Sequence, residues 1–241
     1  MQQIFMDRLC PSVRRFVKEV ETESGVTIEV VTVPKQNFAG PEGKGGLRVE
    51  IEASHTIIFA PTNGYFPDGA VLHEALHVHR LHIEGVPRLA LAEEVDWDPS
   101  FQESLGRVDN CLEHLAIVPT EWRLHPERRE HWEKDMSRIW TIDITNESSD
   151  LDRRIGACLN WAFLKLVLVD SPTLDYAQNL MLSHAIMDEA ESFCSHPALR
   201  YGDKLSIIKM FFECFTEVDR DRAAIEYLNM YDGSRLSPIP H

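Results

Sequence analysis

The sequence predicts an α+β fold. Residues 1–148 form a first domain with a helix, a small three-strand sheet and two further helices, and residues 149–241 form an all-α C-terminal region. Three observations predict it. β-branched runs stand at 26–33, 47–52 and 56–60, each of strand length. Apolar residues at spacings of three and four flank them on both sides, the period of an amphipathic helix. The polar stretch from Asn146 to Asp150 then separates this mixed part from a region in which only the helical period recurs.

In order, Val13, Phe16, Val17 and Val20 share one helical face, so a helix covers roughly 10–24 and ends at Ser24-Gly25. Residues 26–33 read as a strand closed by Pro34. Residues 37–46 hold four glycines and a proline and read as a loop. Leu47 to Glu52 alternates as a half-buried strand does, and Thr56 to Ala60 is a third strand, placed at the sheet edge. Asn63-Gly64 and Pro67-Asp68-Gly69 form a turn-rich bridge, with Asp68 the N-cap of the next helix. Leu105, Val108, Leu112, Leu115 and Val118 make the stripe of a helix over 101–118 that Pro119 stops. Pro126 opens another helix to Trp140. Beyond residue 150 helices are expected near 151–169, 173–193, 203–217 and 219–231, followed by a loose tail over 232–241.

The chain has 241 residues and 44% hydrophobic content, sufficient to bury a substantial core. Its net charge of −15 argues against nucleic acid or an anionic membrane as partner, since both select basic surfaces. Five scattered cysteines without a Cys-x-x-Cys pair read as reduced thiols of a cytoplasmic protein. The N-terminal twenty residues contain no uninterrupted apolar core, so no signal peptide is expected. The run Cys158 to Val169 carries Asn160 and Lys165 and is too short to span a bilayer; it reads as a buried helix.

The chemistry concentrates in Val71-Leu72-His73-Glu74-Ala75-Leu76-His77. Residues four apart share a helix face, so His73 and His77 can present two imidazoles to one ion. Glu74, beside the first histidine, can hold a water and accept its proton. His79 lies about 200° round the helix from His77 and points away, and His82 is five residues on; both read as surface or supporting groups. A hydrolytic zinc site needs three protein ligands and an open position. Glu113, 36 residues beyond His77, is the third-ligand choice because it borders the apolar stripe at Leu112. Asp109 and Asn110, one turn earlier, can brace it. His114 is the nearest rival, about 100° round the helix; Glu93 and Glu94 are the others.

The His73-Glu74-x-x-His77 motif, after a small sheet and before a helix offering Glu113, resembles the zincin metallopeptidases, and within them the compact, glutamate-ligand gluzincins. The metzincin pattern does not fit, because Arg80 and Ile83 occupy the positions of its glycine and third histidine. The resemblance spans roughly residues 10–118 and departs from the usual gluzincin pattern at Ile117. It implies a Zn²⁺ peptidase acting on a protein or peptide. Zinc on His73, His77 and Glu113 activates a water and polarises the scissile carbonyl, and Glu74 carries the proton to the leaving amine. The substrate would lie along the third strand. Tyr65, His114, His125 and Tyr201 are candidate oxyanion donors.

Two other readings remain. One is a zincin-fold binding or regulatory protein without proteolytic activity. The other is a metal-free α+β interaction protein whose histidines are solvated.

Overall fold

The computed structural model describes residues 1–34, 46–92, 97–229 and 233–240. It is a mixed α+β chain in two units. One comprises Met1–Arg88 and Glu226–Arg235, the other Leu89–Ile225 and Leu236–His241. The boundary expected near residue 148 falls inside the second unit.

The first unit opens with a short helix α1 (Gln3–Met6) and the amphipathic α2 (Pro11–Ser24). Pro11 occupies the first helical position, and Gly25 ends the helix in the left-handed conformation at φ 71°, where a side chain would be strained. Of the expected face, Val13, Val17 and Val20 are buried and Phe16 is half-buried. Strands β1 (Thr27–Val33), β2 (Arg48–Ile51) and β3 (His55–Pro61) follow. Their order is β1-β3-β2, with β3 parallel to β1 and antiparallel to β2. The placement of the third strand at the sheet edge is therefore corrected: β3 is central. Thr56, Ile58 and Ala60 are buried and, alternating along the strand, share one face of the sheet. The outer side of β1 is met by Gln2, whose amide donates to the Val30 carbonyl (3.1 Å) and accepts from the Val30 N–H (2.9 Å). That contact blocks further strand pairing there. The expected loop at 37–46 lies, except for Gly46, outside the described residues.

Helix α3 (Asp68–His82) closes this part of the chain. Strand β4 (Arg88–Leu91) then pairs with β5 (Ala223–Asn229), which pairs with β6 (Gly233–Pro238). Two expectations are corrected here. The C-terminal region is not all-α, because β5 replaces the helix expected at 219–231, and the expected loose tail contains β6. Ala223, Ala224, Ile225 and Leu228 are all buried; a short apolar run of this kind fits either period, and pairing with a strand about 130 residues earlier decides it.

The second unit is helical apart from its strand segments. Helix α4 spans Pro99–Leu124 and continues through Pro119, so the expected stop is corrected. Glu121, two residues beyond, is fully buried and accepts from Arg128 and from Trp132 Nε1 (3.0 Å), which anchors the last turns despite the missing N–H. Helix α5 (Arg128–Arg138) runs into a π-helical turn (Ile139–Ile144). Helix α6 (Asp150–Leu166) is capped by Ser149, whose hydroxyl accepts from the Asp152 N–H. The helix expected at 173–193 is two, α7 (Leu174–Ser183) and α8 (Met187–Ser195). The break is at Ala185, which adopts φ 56°, a left-handed turn without the glycine that would announce it. Helices α9 (Pro197–Tyr201) and α10 (Lys204–Cys214) complete the unit. Among the described residues no helix is long and apolar enough to cross a membrane; of the run from Cys158, the part to Leu164 is buried in α6, which ends at Leu166, and Val169 beyond it is exposed.

Candidate metal centre

Helix α3 begins where Pro67 takes the N-cap position. Asp68 is the first helical residue, not the cap. Its carboxylate accepts the backbone N–H of Cys10 at 2.8 Å, joining the starts of α2 and α3 while its charge sits at the positive end of the α3 dipole. Val71, Leu72, Ala75, Leu76 and Val78 are buried and leave the helix little freedom to rotate.

His73 and His77 project from this fixed helix one turn apart. Their Nε2 atoms are 3.3 Å apart, and the rings meet edge to face with centroids 4.9 Å apart. His73 is buried and His77 half-buried. Two nitrogens bound at about 2.0–2.1 Å to a tetrahedral ion stand about 3.3–3.4 Å apart. The pair has the separation of a zinc chelate. Glu74 is half-buried beside His73.

The neighbouring histidines are engaged otherwise. His79 stacks on Phe16 at 5.9 Å and its Nδ1 lies 3.1 Å from Glu84, consistent with its direction away from the pair. His82 meets the Glu52 backbone and faces Arg88. Burial is the main influence holding its pKa below the ordinary histidine value, opposed by the Glu52 hydrogen bond and reinforced by Arg88.

In the second unit, Glu113 is buried on α4. Its carboxylate is 2.7 Å from Lys204 Nζ, and Asp109 Oδ1 is 3.0 Å from the same ammonium. Asp109 also accepts the Leu89 N–H at 3.1 Å. Burial raises the Asp109 pKa against the pull of Lys204. Burial also opposes the Lys204 charge, but Asp109 and Glu113 together hold its pKa above the ordinary lysine value. Asp109 thus braces Glu113 through a shared cation. Asn110 is exposed.

His114 follows on α4 and packs edge to face on Trp132 at 4.8 Å. Of the other expected residues, His125 is buried with Nδ1 2.5 Å from Glu127, and Tyr201 is 85% exposed, too open to serve as a preorganised oxyanion donor. The Tyr65 backbone N–H bonds Asn63 at 3.0 Å. Glu93 and Glu94 lie outside the described residues.

Lys204 is the residue that sequence reasoning missed. Asp203 caps α10 by accepting the Ser206 N–H at 2.8 Å, so Lys204 occupies the first turn. A cation there opposes the helix dipole, and that conflict was the available signal of a carboxylate partner elsewhere. None of the five cysteines is in a disulfide. Burial pushes the Cys111 thiol up to about 11 and Cys158 higher still, so neither is a ready nucleophile. No family model, curated protein or solved structure compared with this chain matches it.

Proposed function

We propose that the protein is a zinc-dependent peptidase in which His73 and His77 hold the ion and Glu74 is the general base. The observation that carries this reading is the 3.3 Å separation of the two Nε2 atoms on one buried helix, which suits a tetrahedral ion. The zincin-like order of elements, a helix and three strands before the motif helix, is consistent with it.

For the third ligand we propose His114 in preference to Glu113. Glu113 is paired with the buried Lys204, and moving its carboxylate to a metal would leave that ammonium with less compensation. An imidazole ligand gives a three-histidine site, which is compatible with hydrolytic zinc. Zinc bound there would supply Lewis acidity toward a carbonyl and toward water. The chain's own residues do the rest: His73 and His77 fix the position of the ion, and Glu74 accepts a proton from water and delivers it to the leaving amine.

The test is metal content by elemental mass spectrometry after zinc loading. One zinc per chain in the wild type and in Glu113→Ala, with loss in His77→Ala and His114→Ala, is the expected result. Loss in Glu113→Ala with retention in His114→Ala would restore the glutamate-ligand arrangement. Absence of bound zinc in the loaded wild type overturns the reading. Inhibition of peptide cleavage by a hydroxamate separates a peptidase from a protein that only binds metal.

A further inference from the structure

A cavity of about 690 Å³ lies within the second unit, between α4, α5 and α6. Its walls include Leu105, Val108, Trp132, Met136, Leu159 and Phe163, all of them buried. Arg107, Asp143 and Asp152 also line it and are exposed, so they mark its mouth. The volume is that of sites for small organic ligands.

Two features of α6 favour a ligand. Gly156 stands in the middle of the helix on the cavity wall. No positive φ requires glycine there, and an added Cβ would meet only Ile144 Cγ1 at 3.9 Å, an ordinary contact. Glycine weakens a helix interior relative to alanine, so its effect here is to keep space open. One turn on, Asn160 is 9% exposed and lines the same cavity. Its amide nitrogen donates to the Gly156 carbonyl at 2.8 Å, which fixes the orientation of the group. Its Oδ1 makes no hydrogen bond among the described residues.

We infer that this cavity binds one uncharged, predominantly apolar small molecule that donates an N–H or O–H to Asn160 Oδ1, such as a medium-chain primary amide or alcohol. An anionic head group is disfavoured. Asn160 Oδ1 is an acceptor, and although the Nε of Arg153 on the same lining is buried, carboxylates outnumber guanidiniums along the lining, six to four. The guanidiniums already face acidic partners: Arg107 Glu103, Arg138 Asp143, Arg153 Asp150 and Arg222 Asp98. His114 also lines this cavity, but the inference does not use it as a ligand, and because its test measures neither metal nor cleavage its failure is distinguishable from failure of the zinc reading.

The experiment titrates the full chain with the neutral dye Nile red and displaces it with decanamide or decanoate. Expected are saturable dye binding at one site per chain, displacement by decanamide, and at least tenfold weaker displacement by decanoate. Asn160→Leu should keep the dye site and lose at least tenfold in decanamide affinity. Gly156→Leu, which fills the space, should weaken dye and amide alike by at least tenfold with an undiminished melting temperature. Ser104→Phe fills the cavity from α4 and gives the same readout should Gly156→Leu misfold. No saturable site in the wild type, equal competition by decanoate, or unchanged affinity in a folded filling variant overturns the inference.

Discussion

Lys204 Nζ lies 2.7 Å from a carboxylate oxygen of Glu113, with the two side chains 3% and 5% exposed. A buried ion pair of this kind is costly to break on one side only, because the surviving charge stays in a medium that solvates it poorly. Asp109 completes the arrangement at 3.0 Å, placing two carboxylates around one ammonium. The cluster ties α10 to α4. It also bears on the metal question, since the sequence offers Glu113 as a ligand while the fold offers it a permanent cation.

Lys204→Met is therefore expected to destabilise the protein by about 3–5 kcal/mol, the usual effect of removing one partner of a buried pair. Asp109 and Glu113 would then repel each other across a desolvated gap. Combining it with Glu113→Gln should recover part of the loss. Urea unfolding of the two variants checks this, and additive losses in the double variant would refute the coupling.

Much of the first unit was legible in the sequence. The stripe of Val13, Val17 and Val20, the stop at Gly25 and the alternation in β2 are local signals, and each has a local cause. The pairing of His73 with His77 was legible for the same reason, as it needs only four residues of helix. What escaped depends on distant partners. Ala223 to Leu228 becomes a strand by pairing with β4, and Ala185 turns left-handed without glycine. Lys204 finds Glu113 across 91 positions. None of these leaves a periodic trace, and only the cation in the first turn of α10 conflicts with its local surroundings.

Glu74→Gln should retain zinc while lowering peptide turnover by about 10²–10⁴-fold, the range of a general base. The amide keeps the shape of the carboxylate but takes no proton. Measured together, metal content and turnover separate this role from a structural one, and full activity in the variant would exclude Glu74 as the base.

His82 gives the metal-free protein a pH dependence. Burial holds its native pKa below the ordinary value of 6.5, so below pH 6.5 the unfolded chain binds the proton more readily than the native one. The stability contribution is complete above 6.5 and is lost as pH falls through that value toward the lower native pKa. The groups facing His82 are the Glu52 backbone and Arg88, and Arg88 is itself held at 2.7 Å by Glu226. Urea midpoints measured in EDTA from pH 7.5 to 5 should fall more steeply for the wild type than for His82→Gln. Parallel profiles would show that His82 is not the responsible group.

Gly156→Ala separates helix propensity from cavity filling. The new Cβ meets only Ile144 Cγ1 at 3.9 Å, so no close contact opposes the gain from replacing glycine in a helix interior. Stability should rise by about 0.5–1 kcal/mol. One methyl group removes only a small part of a space of about 690 Å³, so binding of a neutral apolar dye should stay within a few-fold of wild type, in contrast to Gly156→Leu. Thermal unfolding and dye titration on the same preparations check both halves. A fall in stability would mean that the backbone of α6 needs glycine at this position, and the argument that Gly156 keeps space open would fail with it.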